Sequence, residues 1–119
     1  MHGTDLPDEG AGRPCYFAET EDGVIKVRQR DIVKIEVFGR ECIYTTTGGS
    51  YRTAQSMKEA QEGLSRECFV PCHRGILVNL QRVESISHDQ VVLADGVTAP
   101  VSRRMYGKIN EAFIRFFRP

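Results

Sequence analysis

The residues best able to do chemistry lie together in one short segment. Cys72, His73 and Arg74 bring a thiol, an imidazole and a guanidinium side by side, and Gly75 follows them. An imidazole or a guanidinium can hydrogen-bond to a base edge or to a phosphate oxygen. A thiol beside cationic side chains can have a lowered pKa and react with oxidants. The segment therefore suggests nucleic-acid contact or redox chemistry at Cys72.

The spacing of the cysteines argues against a metal or haem site. Cys68, Cys72 and His73 form C-x3-C-H, one residue longer than the haem-attachment spacing. On a strand, positions 68 and 72 would share a face about 13 Å apart, too far for two thiolates to bind one zinc ion. The sequence has no paired-carboxylate spacing, nucleophile elbow or glycine-rich phosphate loop. We expect no metal, no cofactor and no enzymatic activity.

Composition indicates a single globular domain. The 119 residues are 40% hydrophobic and 27% charged, enough for one hydrophobic core. No apolar run approaches the roughly 18 residues of a membrane span, and residues 1–22 have no apolar signal core. We therefore expect a cytoplasmic protein with no membrane partner and with reduced thiols.

The net charge of zero hides an uneven distribution. Residues 1–22 contain six acidic residues and one arginine, so the rest of the chain carries a net positive charge. Much of it is arginine in the second half: Arg74, Arg82, Arg103, Arg104, Arg115 and Arg118. This bias is compatible with phosphate contact but does not demonstrate it.

Alternating apolar and polar residues predict antiparallel strands along most of the chain. Residues 1–14 lack this pattern, and we interpret them as a flexible tail or linker remnant before a domain at 15–119. The first half predicts a β-meander, with strands near 15–19, 24–28, 34–38, 41–47 and 51–53. In the second half, residues 83–87 and 90–94 predict another hairpin, and Pro100 favours an edge position for the last strand.

Two segments change to a helical period. The spacing of Ser56 and Glu59 is that of a capping box and predicts a short helix that packs on the sheet. Ser102 is placed to cap a final helix. Its apolar stripe, typical of a core or an interface, is Met105, Ile109, Ala112, Phe113 and Phe116.

Three loops present cations where a predicted strand ends. They carry Arg40, then His73 with Arg74, then Arg103 with Arg104. Arginine suits bidentate contact with guanine or with phosphate. The pattern alone does not show whether the three loops share a face.

Several segments together resemble the LytTR family of bacterial DNA-binding domains. They are residues 69–79 (FVPCHRGILVN), 83–86 (VESI) and 100–104 (PVSRR). Residues 31–36 and the helix at 56–64 also fit that family in order and spacing, so the resemblance covers roughly residues 22–117. It implies a mainly β fold, an elongated antiparallel β-sandwich of short sheets with one short internal helix and a C-terminal helix.

The resemblance also implies a function. Loops of the domain would enter successive major grooves of direct-repeat sites on double-stranded DNA, as part of a transcription regulator. Such domains are commonly the output half of a two-component response regulator, so a receiver or sensor domain and a homodimer are expected partners. The chain would be a stand-alone protein or an excised output domain.

Carried over by position, base contacts fall to Arg40, His73, Arg74 and Arg103, with His73 mainly supporting its loop. Phosphate contacts fall to Arg104, Tyr106 and Lys108. The resemblance makes Asn79 a buried structural residue. At Gly75 the chain departs from relatives that often carry a hydroxyl or small polar residue there.

Another class of function stays open from the residues alone. The chain can be a regulatory module that binds a protein partner through its acidic segment or through residues 113–117, or that senses redox state through Cys72. A buried, inert thiol is the competing interpretation of Cys72. Salt-steep binding to duplex DNA would distinguish a DNA-binding domain from both.

Overall fold

The computed structural model describes residues 15–20 and 22–118, so the predicted tail at 1–14 lies outside the described residues. The described part contains ten strands and two α-helices. In chain order they are β1 (Cys15–Thr20), β2 (Gly23–Arg28), β3 (Ile32–Phe38), β4 (Glu41–Thr46), β5 (Gly49–Thr53), α1 (Met57–Glu62), β6 (Phe69–His73), β7 (Ile76–Asn79), β8 (Val83–Ile86), β9 (Gln90–Leu93), β10 (Thr98–Pro100) and α2 (Arg103–Phe117).

The strands form three antiparallel sheets. A central sheet has the order β5-β4-β3-β7-β6, a second sheet has the order β10-β9-β8, and β1 pairs only with β2. Pro100 therefore lies in an edge strand, as predicted.

The predicted meander over the first five strands is wrong at the step from β2 to β3. A single 3-10 turn at Gln29–Asp31 separates the two strands. The buried Gln29 side chain donates to the Gly63 carbonyl at 2.9 Å and accepts from the Ser65 amide at 3.0 Å. These bonds tie the turn to the segment after α1, and β3 pairs with β4 and β7 instead of β2.

The central sheet has an apolar core on each face. On one face Ile35, Tyr44 and Leu77 pack with residues of α1 such as Ala60. On the other face Val33 and Val78 pack with β8, β9, β10 and α2. Successive residues of a strand point to opposite faces, so a strand buried on both sides is apolar at neighbouring positions. The mainly β fold with a short internal helix and a C-terminal helix is confirmed.

Both predicted helix starts are confirmed. The Ser56 hydroxyl accepts from the Glu59 amide at 3.1 Å, and the Glu59 carboxylate accepts from the Ser56 amide at 2.9 Å. Ser102 accepts from the Met105 amide at 3.2 Å at the start of α2. None of the helices in the described residues is long and apolar enough to cross a membrane.

Asn79 joins the end of β7 to the start of β3. Its fully buried amide donates to the carbonyls of Ile32 at 2.8 Å and Gln29 at 3.3 Å, while its oxygen accepts from the Gln81 amide at 3.0 Å. Buried amides left without partners would be costly. The structural role expected for Asn79 is confirmed, and it fixes the two strands that carry the candidate loops.

Candidate nucleic-acid interface

Arg40 lies in the tight turn between β3 and β4. Phe38 pairs with Glu41 across this turn, and Gly39 adopts a φ of +62°, a conformation that residues with a Cβ rarely adopt. The Arg40 side chain is exposed. The adjacent Glu41 carboxylate is already engaged by Arg52 at 3.1 Å.

Arg74 lies in the corresponding turn between β6 and β7, beside Gly75 at φ +77°. The register between these strands shifts between Pro71 and His73, which makes Cys72 the extra residue of a β-bulge. Arg74 is exposed, whereas His73 is half-buried with its Nδ1 3.3 Å from the Arg74 carbonyl oxygen. His73 thus contacts the backbone of its own turn.

The third candidate loop leads into α2. The Ser102 amide donates to the Cys72 carbonyl at 2.9 Å, which ties the start of the helix to the end of β6. Arg103 and Arg104 are the first two helical residues, and both are exposed. Lys108, one turn after Arg104, is exposed as well. A helix N-terminus carries a partial positive charge that favours anions nearby.

Hydrogen bonds between neighbouring strands bring these three loops to one end of the molecule. Glu36 pairs with Ile76, and the Val37 amide donates to the Gly75 carbonyl at 2.9 Å, so the two turns are adjacent. The bond from Ser102 to β6 adds the start of α2. We call this region the arginine end and define it by the two turns, the start of α2 and their arginines: Arg40, Arg74, Arg103 and Arg104.

The arginine end carries positive charge without internal compensation. Within residues 15–20 and 22–118, none of its arginines forms an ion pair, and neither does Lys108. Glu36, the β3 carboxylate closest in sequence to the turn, is paired with Lys34 at 3.1 Å. Exposed cations gathered on one surface attract a polyanion and speed its encounter.

Comparison with known proteins identifies this architecture. The family model described as the LytTr DNA-binding domain matches residues 22–114. The chain belongs to this family. The chain is 26% identical over 90 residues to the sensory transduction protein LytR of Staphylococcus haemolyticus (strain JCSC1435). The matched region covers 71% of this chain and 35% of that relative. The chain thus spans about a third of the length of this relative.

A solved LytTr DNA-binding domain from Bacillus cereus shows the same fold. It superposes with a TM-score of 0.73 at 21% identity, over 87% of this chain and 98% of that domain. The family resemblance drawn from the sequence is confirmed by the family model and by this fold.

The LytTr domain has a further contact at the start of α2 that the sequence did not indicate. The rings of His88 and Tyr106 stack with centroids 4.1 Å apart and planes inclined by 20°. The Val101 amide donates to the Asp89 carbonyl at 3.0 Å, so the turn between β8 and β9 is fastened beside the helix start. Only the folded chain brings His88 to Tyr106, so no local pattern could have revealed the pair.

The structure buries Cys72, which favours the interpretation of an inert thiol over that of a redox sensor. Its side chain has 0% exposure, and burial raises the pKa of its thiol to about 12. Glu36 raises that pKa further, whereas Lys34 and a backbone hydrogen bond lower it. The lowered pKa that a redox-sensing thiol would have is not found, because Cys72 packs in the core with α2 instead of facing the cationic turn.

Cys68 and Cys72 also do not share a face. Cys68 packs against the core beside α1, whereas Cys72 lies in the core beside α2. The shared face expected if both residues lay on one strand is absent because Cys68 precedes the first residue of β6, so the alternation of that strand does not extend to it. In the part of the LytTr domain that the structure describes, no group of three or more His, Cys, Asp or Glu could hold a metal ion.

Proposed function

We propose that this LytTr domain is a sequence-specific double-stranded DNA-binding module of a transcription regulator. The observation that carries the proposal is the arginine end, where hydrogen bonds gather three loops and their arginines find no partner within the described residues. Loops at the end of a sheet can enter a major groove as a recognition helix does.

Arg40, Arg74 and Arg103 are proposed to contact bases. Each is exposed and sits where the backbone is fixed, in a tight turn or at the first residue of a capped helix. A fixed backbone leaves less freedom to lose when a guanidinium binds the O6 and N7 atoms of guanine. His73 is proposed to support Arg74, since its ring contacts the carbonyl of that residue.

The first two turns of α2 are proposed to contact phosphates. Arg104 and Lys108 are four residues apart and therefore lie on the same side of the helix. The half-buried Tyr106 lies between them in sequence, held by its stack on His88. Phosphate contacts of this kind set the register of a protein on the duplex and make binding depend on salt.

We further propose that the chain acts as an output module in the bacterial cytoplasm, where its DNA target lies. The LytR relative is named a sensory transduction protein and extends far beyond the matched region. A receiver or sensor domain is therefore the proposed partner, and a homodimer would bind direct-repeat sites with the avidity that linked contacts provide.

Selection from a random duplex library at moderate salt tests the proposal and returns the target sequence. We expect enrichment of a defined duplex. Arg103→Ala should then lose about 1–3 kcal/mol on that duplex and nothing comparable on random duplex. Arg115→Ala is the matched control, because this exposed arginine lies in the last turn of the same helix.

Two results would contradict parts of this proposal. If no duplex is enriched over random DNA, the module that binds a protein partner becomes the better interpretation. If Arg103→Ala weakens enriched and random duplexes equally, Arg103 contacts phosphate and does not select a base.

A further inference from the structure

The arginine end also presents an exposed aromatic side chain. Phe38, the last residue of β3, is 56% exposed, and Val37 before it is 37% exposed. Few large apolar side chains are so exposed in the described residues, and the others, Val24, Ile114 and Phe117, lie outside the arginine end. Phe38 is therefore an apolar group placed among uncompensated cations.

The strand alternation shows where Phe38 projects. Lys34, Glu36 and Phe38 alternate onto one face of β3. Lys34 donates to the carbonyl of Thr98 in β10 at 3.0 Å, so this is the face that β8–β10 and α2 cover. Phe38 lies on that face beyond the covered residues, at the end where α2 begins with Arg103.

The backbone that carries Phe38 is fixed on both sides. Its pairing with Glu41 closes the turn that contains Arg40, and the Val37 amide is bonded to Gly75. Phe38 itself has only two side-chain torsions, so little freedom is lost when it is ordered in a complex. A rigid apolar surface beside arginine forks can recognise a mixed apolar and polar edge.

The C5-methyl group of thymine is the apolar feature that base edges present in the major groove. We propose that Phe38 is a specificity-determining residue that packs against a thymine methyl group. The proposal rests on the proposed function, since it requires the arginine end to enter a major groove. It adds a preference for thymine to the guanine preference expected of the arginines.

Replacement of thymine by deoxyuridine tests this contact, because it removes the methyl group and keeps the hydrogen-bonding edge. Each thymine of the enriched duplex is replaced in turn, and dissociation constants are measured for wild type and Phe38→Ala. We expect one position where wild type binds deoxyuridine about fourfold more weakly, as for one lost methyl contact. Phe38→Ala should bind both duplexes equally at that position.

Two further variants keep the comparison interpretable. Phe117→Ala removes an aromatic side chain of similar exposure, 58%, near the other end of α2, about 20 Å along the helix from Arg103. It should keep the wild-type preference for thymine. Phe38→Leu retains an apolar contact and should keep part of that preference, which guards against a misfolded Phe38→Ala.

The outcomes separate this inference from the proposed function. If Phe38→Ala keeps the wild-type preference at every thymine, the inference is overturned, while an enriched duplex and an effect of Arg103→Ala still support DNA recognition. Equal loss on enriched and random duplexes would assign Phe38 to support of its turn and would also overturn the inference. An enriched duplex without thymine, or no enrichment at all, overturns it as well.

Discussion

Cys72 stands between Pro71 and His73 in sequence, next to the cationic turn, yet its side chain packs in the core beside α2. Val70, two residues earlier in β6, packs against the same core, so strand alternation places the Cys72 side chain on that face. In the core the thiol loses its hydration, which disfavours the thiolate and raises its pKa.

The raised pKa of Cys72 predicts a loss of stability at alkaline pH. The folded value of about 12 exceeds the ordinary value of 9.0, so the unfolded chain loses this proton first. The contribution is fully present below pH 9.0 and is lost as pH rises towards 12. Relative to Cys72→Ala, the wild-type free energy of unfolding should fall by about 1.4 kcal/mol per pH unit above pH 9.

Urea unfolding of both proteins between pH 7 and pH 10.5 measures this difference. Cys42, whose pKa burial also raises, is present in both proteins and cancels. A difference that stays constant across the range would show that the Cys72 thiol ionises as readily in the folded protein as in the unfolded one.

At the residue scale, the sequence predicted which residue types are candidate contacts but not which other side chains lie beside them. Arginines after predicted strands indicated Arg40, Arg74 and Arg103. Neither the exposure of Phe38 nor the stack of His88 on Tyr106 has a local signal, because each depends on what the folded chain covers or brings near.

At the scale of elements, replacing glycine by alanine should change the stability of the fold in opposite directions at two positions. Gly75 has a φ of +77° in the turn that carries Arg74, whereas Gly107 lies within α2 with open space around it. Gly75→Ala should destabilise the fold by about 1 kcal/mol because a Cβ disfavours that backbone conformation. Gly107→Ala should stabilise it by roughly 0.5–1 kcal/mol because alanine loses less entropy in a helix.

Chemical denaturation of the two alanine variants checks both signs. A Cβ on Gly75 would meet the Val37 Cβ at 3.6 Å, an ordinary contact, so the cost should come from the backbone. Gly75→Asn is the control, since asparagine tolerates this conformation better and should cost less. Equal costs for alanine and asparagine would point to crowding against Val37 instead.

Local elements were predictable because their signals are local. The hairpins follow from period-two patterns around turns, and both helix starts follow from serine caps. The strand order was not predictable, since the pairing of β3 with β7 joins Lys34 to Val78, more than a third of the chain apart. That pairing is also what places the turns of Arg40 and Arg74 side by side.

The whole molecule has zero net charge, which by itself argues against a nucleic-acid partner. The fold changes this conclusion, because it collects cations at the arginine end while ion pairs elsewhere consume others, such as Arg82 with Asp31. The attraction of a duplex therefore depends on the local electrostatic field of one surface more than on the total charge of the chain.

This view predicts that two equal changes in net charge affect DNA binding differently. Arg104→Ala removes a cation at the arginine end, and Lys58→Ala removes one from α1, which packs on the opposite face of the central sheet. Each phosphate that a protein cation neutralises releases counterions and contributes about 0.9 to the slope of log affinity against log salt. Arg104→Ala should make that slope shallower by about 1 on any duplex, whereas Lys58→Ala should leave it unchanged.

Fluorescence titrations of enriched and random duplexes from low to moderate salt measure the slopes. The preference for the enriched duplex should survive in Arg104→Ala, because a phosphate contact weakens all sequences alike. Equal slopes for the two variants would mean that net charge governs binding and that the arginine end is not the surface the duplex meets. A shallower slope confined to Arg104→Ala, with sequence preference intact, would assign Arg104 to the phosphate backbone and would show that base selection lies with other residues.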